Sequence, residues 1–66
     1  MEMVRVSSSA MTAVRYDPIN QRMKIQLKQG ETYDFCRVPQ WVYEGLMRSA
    51  SKGGYYTAYI RDRYQC

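Results

Sequence analysis

The stretch Arg22-Met23-Lys24-Ile25-Gln26-Leu27-Lys28 alternates apolar and polar side chains without a break. Successive side chains of a strand point to opposite faces, so Met23, Ile25 and Leu27 face a core while Lys24, Gln26 and Lys28 face water. Turn-forming residues bound it on both sides. Upstream, Asp17-Pro18-Ile19-Asn20-Gln21 supplies a proline that fixes its own φ and two side chains able to bond the local backbone. Downstream, Gln29-Gly30 fits a tight hairpin turn because glycine tolerates positive φ. Outward from these turns, Met11 to Tyr16 carries Val14 and Tyr16 on one face, and Glu31 to Val38 carries Tyr33 and Phe35 on one face. The three segments predict an antiparallel meander with one covered face, and Met3 to Val6 adds a short strand ahead of it. On that reading Tyr33 and Phe35 belong to the core, with a platform on which bases stack as the alternative.

Pro39 opens a helix at the first-turn position, where its missing N–H costs nothing. Trp41, Val42, Tyr43, Leu46, Met47 and Ala50 then give a broad apolar stripe at i, i+3, i+4 spacing. Gly45 inside this helix costs about 1 kcal/mol against alanine, which predicts close approach by a neighbouring segment. Lys52-Gly53-Gly54 reads as the helix end, with cation and glycines where a C-terminus takes them. In the last segment Tyr56, Tyr59, Ile60 and Tyr64 fall at helical spacing, although the same residues favour strands. The predicted architecture is α+β: a three-stranded antiparallel β-meander followed by one helix and a second short helix, with a final edge strand as the alternative. A single domain spans residues 1–66.

Composition narrows the function classes. A chain of 66 residues buries only about 60% of its unfolded surface and leans on good packing, staples or association. With no histidine and two cysteines, Cys36 and Cys66, it excludes Cys₄ or Cys₂His₂ zinc sites, Ser-His-Asp and Cys-His catalytic sets, and a multi-disulfide scaffold. The Met-Glu-Met start shows no signal-peptide pattern and no apolar run is long enough for a membrane span. The expected setting is cytoplasmic and reducing, with no membrane and both thiols free. A net charge of +4 with seven tyrosines fits a nucleic-acid or nucleotide binder. Half-buried tyrosines in a thin core would give the same composition.

Several residues are candidate contacts. Ser7-Ser8-Ser9 clusters hydroxyls and backbone N–H groups that can hold an anion, and a local turn satisfied by the serines explains the same run. Arg61, beside an inward Ile60, is the expected basic partner of that cluster, since a guanidinium clamps phosphate bidentately. A salt bridge to Asp17 or Glu44 competes for it. Lys52 before Gly53-Gly54 could donate to a phosphate, or simply cap the helix. Arg15 and Lys24, with Lys28 and Arg37, can line the open face of the sheet as a basic strip. Of the four tyrosines in the last segment some must be exposed, and Tyr55 and Tyr59 are candidates for stacking bases. Asp17, Glu31, Asp34, Glu44 and Asp62 are scattered, and no histidine activates Cys36. No catalytic residue, metal or cofactor is implied.

The ordered series Val6-Ser7-Ser8-Ser9, Tyr16-Asp17, Gly30, Tyr33-Asp34-Phe35, Val38-Pro39, Val42-Tyr43, Leu46, Ala50-Ser51-Lys52-Gly53 and Ile60-Arg61 resembles the KTSC domain family. That family occurs at the C-terminus of some lysyl-tRNA synthetases and as small stand-alone proteins of bacteria and their phages. The resemblance covers roughly Val6 to Tyr64. It implies kinship and a binding role, with RNA as the ligand suggested by the synthetase fusions, and no mechanism. The family's central Tyr-x-Tyr appears as Tyr33-Asp34-Phe35, so a hydroxyl is missing at Phe35. The expected function is a small non-catalytic module for RNA or single-stranded nucleic acid. Two other classes stay open: a protein-interaction or inhibitor module, with Trp41 or tyrosines meeting an acidic partner, and a nucleotide-binding protein using Ser7–Ser9 and Arg61. A homodimer could cover an edge strand in any of these.

Overall fold

Four antiparallel strands lie side by side in chain order: β1 (Val4–Arg5), β2 (Met11–Asp17), β3 (Arg22–Leu27) and β4 (Thr32–Phe35). The computed structural model describes residues 4–6 and 8–66, so Met3 of the expected first strand falls outside it. The register follows the alternation. Val14, Ile25 and Tyr33 align across β2, β3 and β4, as do Tyr16, Met23 and Phe35. A bulge between Met11 and Ala13 lets Met11 face inward although it stands three residues before Val14.

Both turns form for the reasons their residues supply. Asp17 Oδ1 accepts from the Ile19 and Asn20 backbone N–H groups at 3.0 and 3.4 Å, and Oδ2 accepts from Asn20 Nδ2 at 2.8 Å. At the second turn Gly30 N–H donates to the Leu27 carbonyl and Leu27 N–H to that of Glu31, with Gly30 at φ +103°. That is the left-handed position a three-residue hairpin loop requires.

One face of the sheet is covered by α1 (Gln40–Arg48) and α2 (Lys52–Tyr55), the latter running directly into a π-helical turn, Tyr56–Ile60. Val42, Leu46 and Ile60 meet Met11, Val14, Met23 and Ile25 in a core without exposure. The Tyr16 ring stacks on Tyr43 with centroids 4.6 Å apart, and its hydroxyl donates to the Val38 carbonyl at 2.6 Å. Burial pushes the Tyr16 hydroxyl pKa up.

Helix boundaries differ from expectation in two places. Pro39 is the residue before the first helical turn, and Gln40 opens the helix. Lys52-Gly53-Gly54 begins α2 and ends nothing: α1 stops at Arg48, and Ser51 caps the new helix by accepting from Gly54 N–H at 3.3 Å. Tertiary contact explains the glycine, since a Cβ on Gly53 would stand 3.0 Å from that of Ala10. The last segment realises both alternatives in turn. It is helical through Ile60 and then returns along β4, where Gln65 bridges Phe35 and Cys36 N–H donates to the Tyr64 carbonyl at 2.8 Å.

That return corrects the expectation of free thiols. Cys36 and Cys66 form a disulfide, their Cα atoms 4.9 Å apart and 30 residues apart in sequence. Only the path of the C-terminal segment brings them together.

Gly45 is explained by Tyr55: an added Cβ would lie 2.7 Å from its Cζ and closer still to its hydroxyl. Gly45→Ala is therefore expected to destabilise by about 1–3 kcal/mol, overpacking outweighing the roughly 1 kcal/mol of helix propensity gained. Urea unfolding checks this, and Tyr55→Leu in the same chain should recover part of the loss. A stability gain for Gly45→Ala alone would contradict it.

Candidate nucleic-acid interface

The uncovered face of the sheet is basic. Alternation places Arg15 on β2 directly across from Lys24 on β3, and Lys24 across from Asp34 on β4. Arg5 stands opposite Ala13 and Arg22 opposite Asp17 on the same face. Arg15, Asp17, Asn20, Arg22, Lys24 and Asp34 border a shallow concavity of about 320 Å³. Its two carboxylates are already engaged. Asp17 serves the turn, where the hydrogen bond from Asn20 holds its carboxyl below the usual carboxylate range, and Asp34 lies 3.6 Å from Lys24 Nζ. Among the described residues Arg5, Arg15 and Arg22 have no ion-pair partner. Like charges directly opposite each other destabilise a sheet; Asp34 offsets Lys24 in part, and an anion lying across Arg15 and Lys24 would relieve the rest.

The expected pairing of the serine cluster with Arg61 does not occur for Ser8 and Ser9. Ser7 lies outside the described residues. Ser8 and Ser9 face Ser51, Lys52, Gly53 and Gly54 across a polar cleft of about 390 Å³, because the chain before β2 packs on the start of α2. Within it Ser8 Oγ accepts from Ala10 N–H at 3.1 Å, and Lys52 Nζ donates to the Ser49 carbonyl at 3.2 Å. Ser8 thus serves the local backbone, as the turn explanation requires, whereas Lys52 bonds the C-cap residue of α1 from the start of the next helix.

Arg61 lies elsewhere, at a second pocket of about 640 Å³ beside β4, with Tyr33, Phe35, Tyr56, Asp62 and Gln65. Its side chain is 62% exposed and its nearest carboxylate is the adjacent Asp62, at 3.9 Å; it pairs with neither Asp17 nor Glu44. Tyr33 corrects a second expectation. Phe35 is buried, but Tyr33 is 41% exposed although it shares the inward face, because the helical layer stops short of that end of β4. Tyr55 is half-buried over Gly45, and Tyr59, its ring 4.7 Å from that of Tyr55, is 50% exposed. Among the described residues no group of His, Cys, Asp or Glu is placed to hold a metal ion. Among the described residues no helix is long and apolar enough to cross a membrane.

The KTSC domain model matches residues 7–64. The chain belongs to the KTSC domain family. A solved KTSC domain protein from Yersinia pestis superimposes with a TM-score of 0.94 at 31% identity, covering 98% of this chain and 92% of that one. A protein from Tsukamurella paurometabola is 32% identical over 60 residues, 91% of this chain and 90% of the relative. A lysine–tRNA ligase from Nostoc sp. is 29% identical over 63 residues; the match takes in 96% of this chain and 11% of the ligase. The fold therefore occurs both as nearly a whole protein and as a small part of a synthetase.

Proposed function

We propose that this KTSC domain is a non-catalytic, cytoplasmic binding module for RNA or single-stranded nucleic acid. The supporting observation is the helix-free sheet face, where, among the described residues, Arg5, Arg15, Arg22 and Lys24 are set against two carboxylates, both engaged. Phosphates held on such a face supply affinity without reading sequence. Arg61 and Lys52 are outlying cations for a strand that continues past the sheet. A relative carried by a lysine–tRNA ligase, an enzyme whose name specifies an RNA substrate, accords with this ligand class. In the cytoplasm the thiol pool acts on the Cys36–Cys66 bond, so binding is to be measured with and without reductant.

With about four phosphate contacts on a single strand, raising salt from ~50 to ~200 mM should cost roughly 50-fold in affinity. Arg15→Gln with Arg22→Gln should remove about two contacts and flatten the log–log salt slope by about 1.4. Fluorescence anisotropy with a mixed-sequence RNA oligomer checks both. No binding at ~50 mM salt, where phosphate contacts are strongest, would sink the reading. The exposure of Trp41, 64% at the start of α1, favours a protein partner as the second reading. Recovery of one host protein insensitive to nuclease would then replace salt-sensitive RNA recovery.

A further inference from the structure

We infer that the pocket formed by Tyr33, Tyr56 and Arg61 receives one nucleobase, with Arg61 at the phosphate attached to it. This rests on the nucleic-acid reading and assigns it a base-recognition site. Two tyrosine rings already fixed by the protein line the pocket. Tyr56 meets buried Phe35 edge-on, with centroids 5.9 Å apart and planes at 74°. Tyr33 is held at its tip, its hydroxyl donating to Glu31 Oε2 at 2.8 Å. Rings held before the ligand arrives lose little freedom on stacking, and every base offers a π-face to them.

Charge sets the rest of the ligand. Arg61 is close enough to Tyr33 and Tyr56 to oppose the upward pKa shifts of both hydroxyls, which arise chiefly from the Glu31 hydrogen bond and from burial respectively. Asp34 and Asp62 also border the pocket, and Asp62 lies 3.9 Å from Arg61 Nε, so one phosphate must compete with that exposed pair and each further phosphate adds repulsion. Gln29 and Gln65 provide amides for a base edge. The pocket's volume of about 640 Å³ leaves room for a nucleoside monophosphate unit. Asp34 borders both this pocket and the basic concavity, so the two adjoin around β4. A strand whose phosphates cross Arg15 and Lys24 can tuck one base around that edge.

The test compares a mixed-sequence RNA oligomer with an abasic phosphodiester oligomer of equal length on the full chain, and titrates AMP and UMP against backbone amide shifts. Tyr33→Ala should weaken RNA binding by about 5- to 150-fold, the worth of one base stacked on an aromatic ring. It should leave abasic binding unchanged, and Tyr33→Phe, which keeps the ring but loses its bond to Glu31, should weaken RNA binding far less than Tyr33→Ala. AMP or UMP should move the amides of Tyr33, Tyr56 and Arg61. Wild-type RNA affinity in a folded Tyr33→Ala variant would overturn the assignment while leaving phosphate binding intact. Monophosphate shifts confined to Ser8, Ser9 and Lys52 would overturn it too. If neither oligomer binds, the nucleic-acid reading fails, and the monophosphate titration alone decides the pocket.

Discussion

Replacing Cys36 and Cys66 by serine is expected to lower the unfolding free energy by about 3–4 kcal/mol. The bond closes a loop across 30 residues of sequence, and the entropy it removes from the unfolded chain grows with the logarithm of that length. A domain of 66 residues holds roughly 3–10 kcal/mol in all, so the loss is a large share of the total. Urea unfolding of the wild type with and without dithiothreitol should reproduce the shift seen for the double variant. Coincident curves would show that the bond contributes nothing. The local effect should fall on the C-terminal return, where the Cys36 amide would exchange faster once Tyr64 is no longer held against it. Reduction also loosens Gln65 and Asp62 at the Tyr33 pocket, so RNA binding should weaken in parallel if that pocket takes a base.

Ile60→Ala should cost about 2–5 kcal/mol, the second large effect. Ile60 is the only buried residue after Leu46, and through it the whole C-terminal unit docks into the core. The π-helical turn matters here. Arg61 N–H donates to the Tyr56 carbonyl at 2.8 Å, five residues back, and this wider turn leaves Ile60 inward and Arg61 outward. Truncation leaves a cavity bounded by the sheet and α1, which a small rigid core fills poorly. Tyr59→Ala, at the exposed neighbouring position, serves as the comparison and should cost distinctly less. Equal losses for the two variants would mean that Ile60 does not anchor the segment.

Local chemistry made much of the fold legible. The alternation from Arg22 to Leu27, the Asp17–Asn20 turn, Gly30 and the Val42–Leu46 stripe each satisfy a rule that acts over a few residues. Even the close approach at Gly45 was readable as a need, although its partner Tyr55 was not. Lys52-Gly53-Gly54 misled because glycine and a cation suit a helix end, whereas here glycine makes room for Ala10 at a helix start. The candidate site was legible only in its parts. Parity puts Arg15 and Lys24 on one face, whereas nothing local separates Arg61 from the serines or opens Tyr33 to solvent.

The length, the absence of histidine and the alternating strands determined by themselves that this is a small α+β domain without the common histidine-based catalytic sets. Periods of two and 3.6 residues are properties of the backbone and need no partner to be read. Tertiary structure decided which distant residues meet: Cys36 with Cys66, Ser8 and Ser9 with Lys52, and Tyr33 with Tyr56 and Arg61. It decided equally where the helical layer ends, and so that Tyr33 is open while Phe35 is closed. Those meetings depend on how one layer lies across another, which no spacing along the chain encodes. The cysteines that composition alone left as free thiols are, in the folded chain, a staple at the edge of the proposed base pocket.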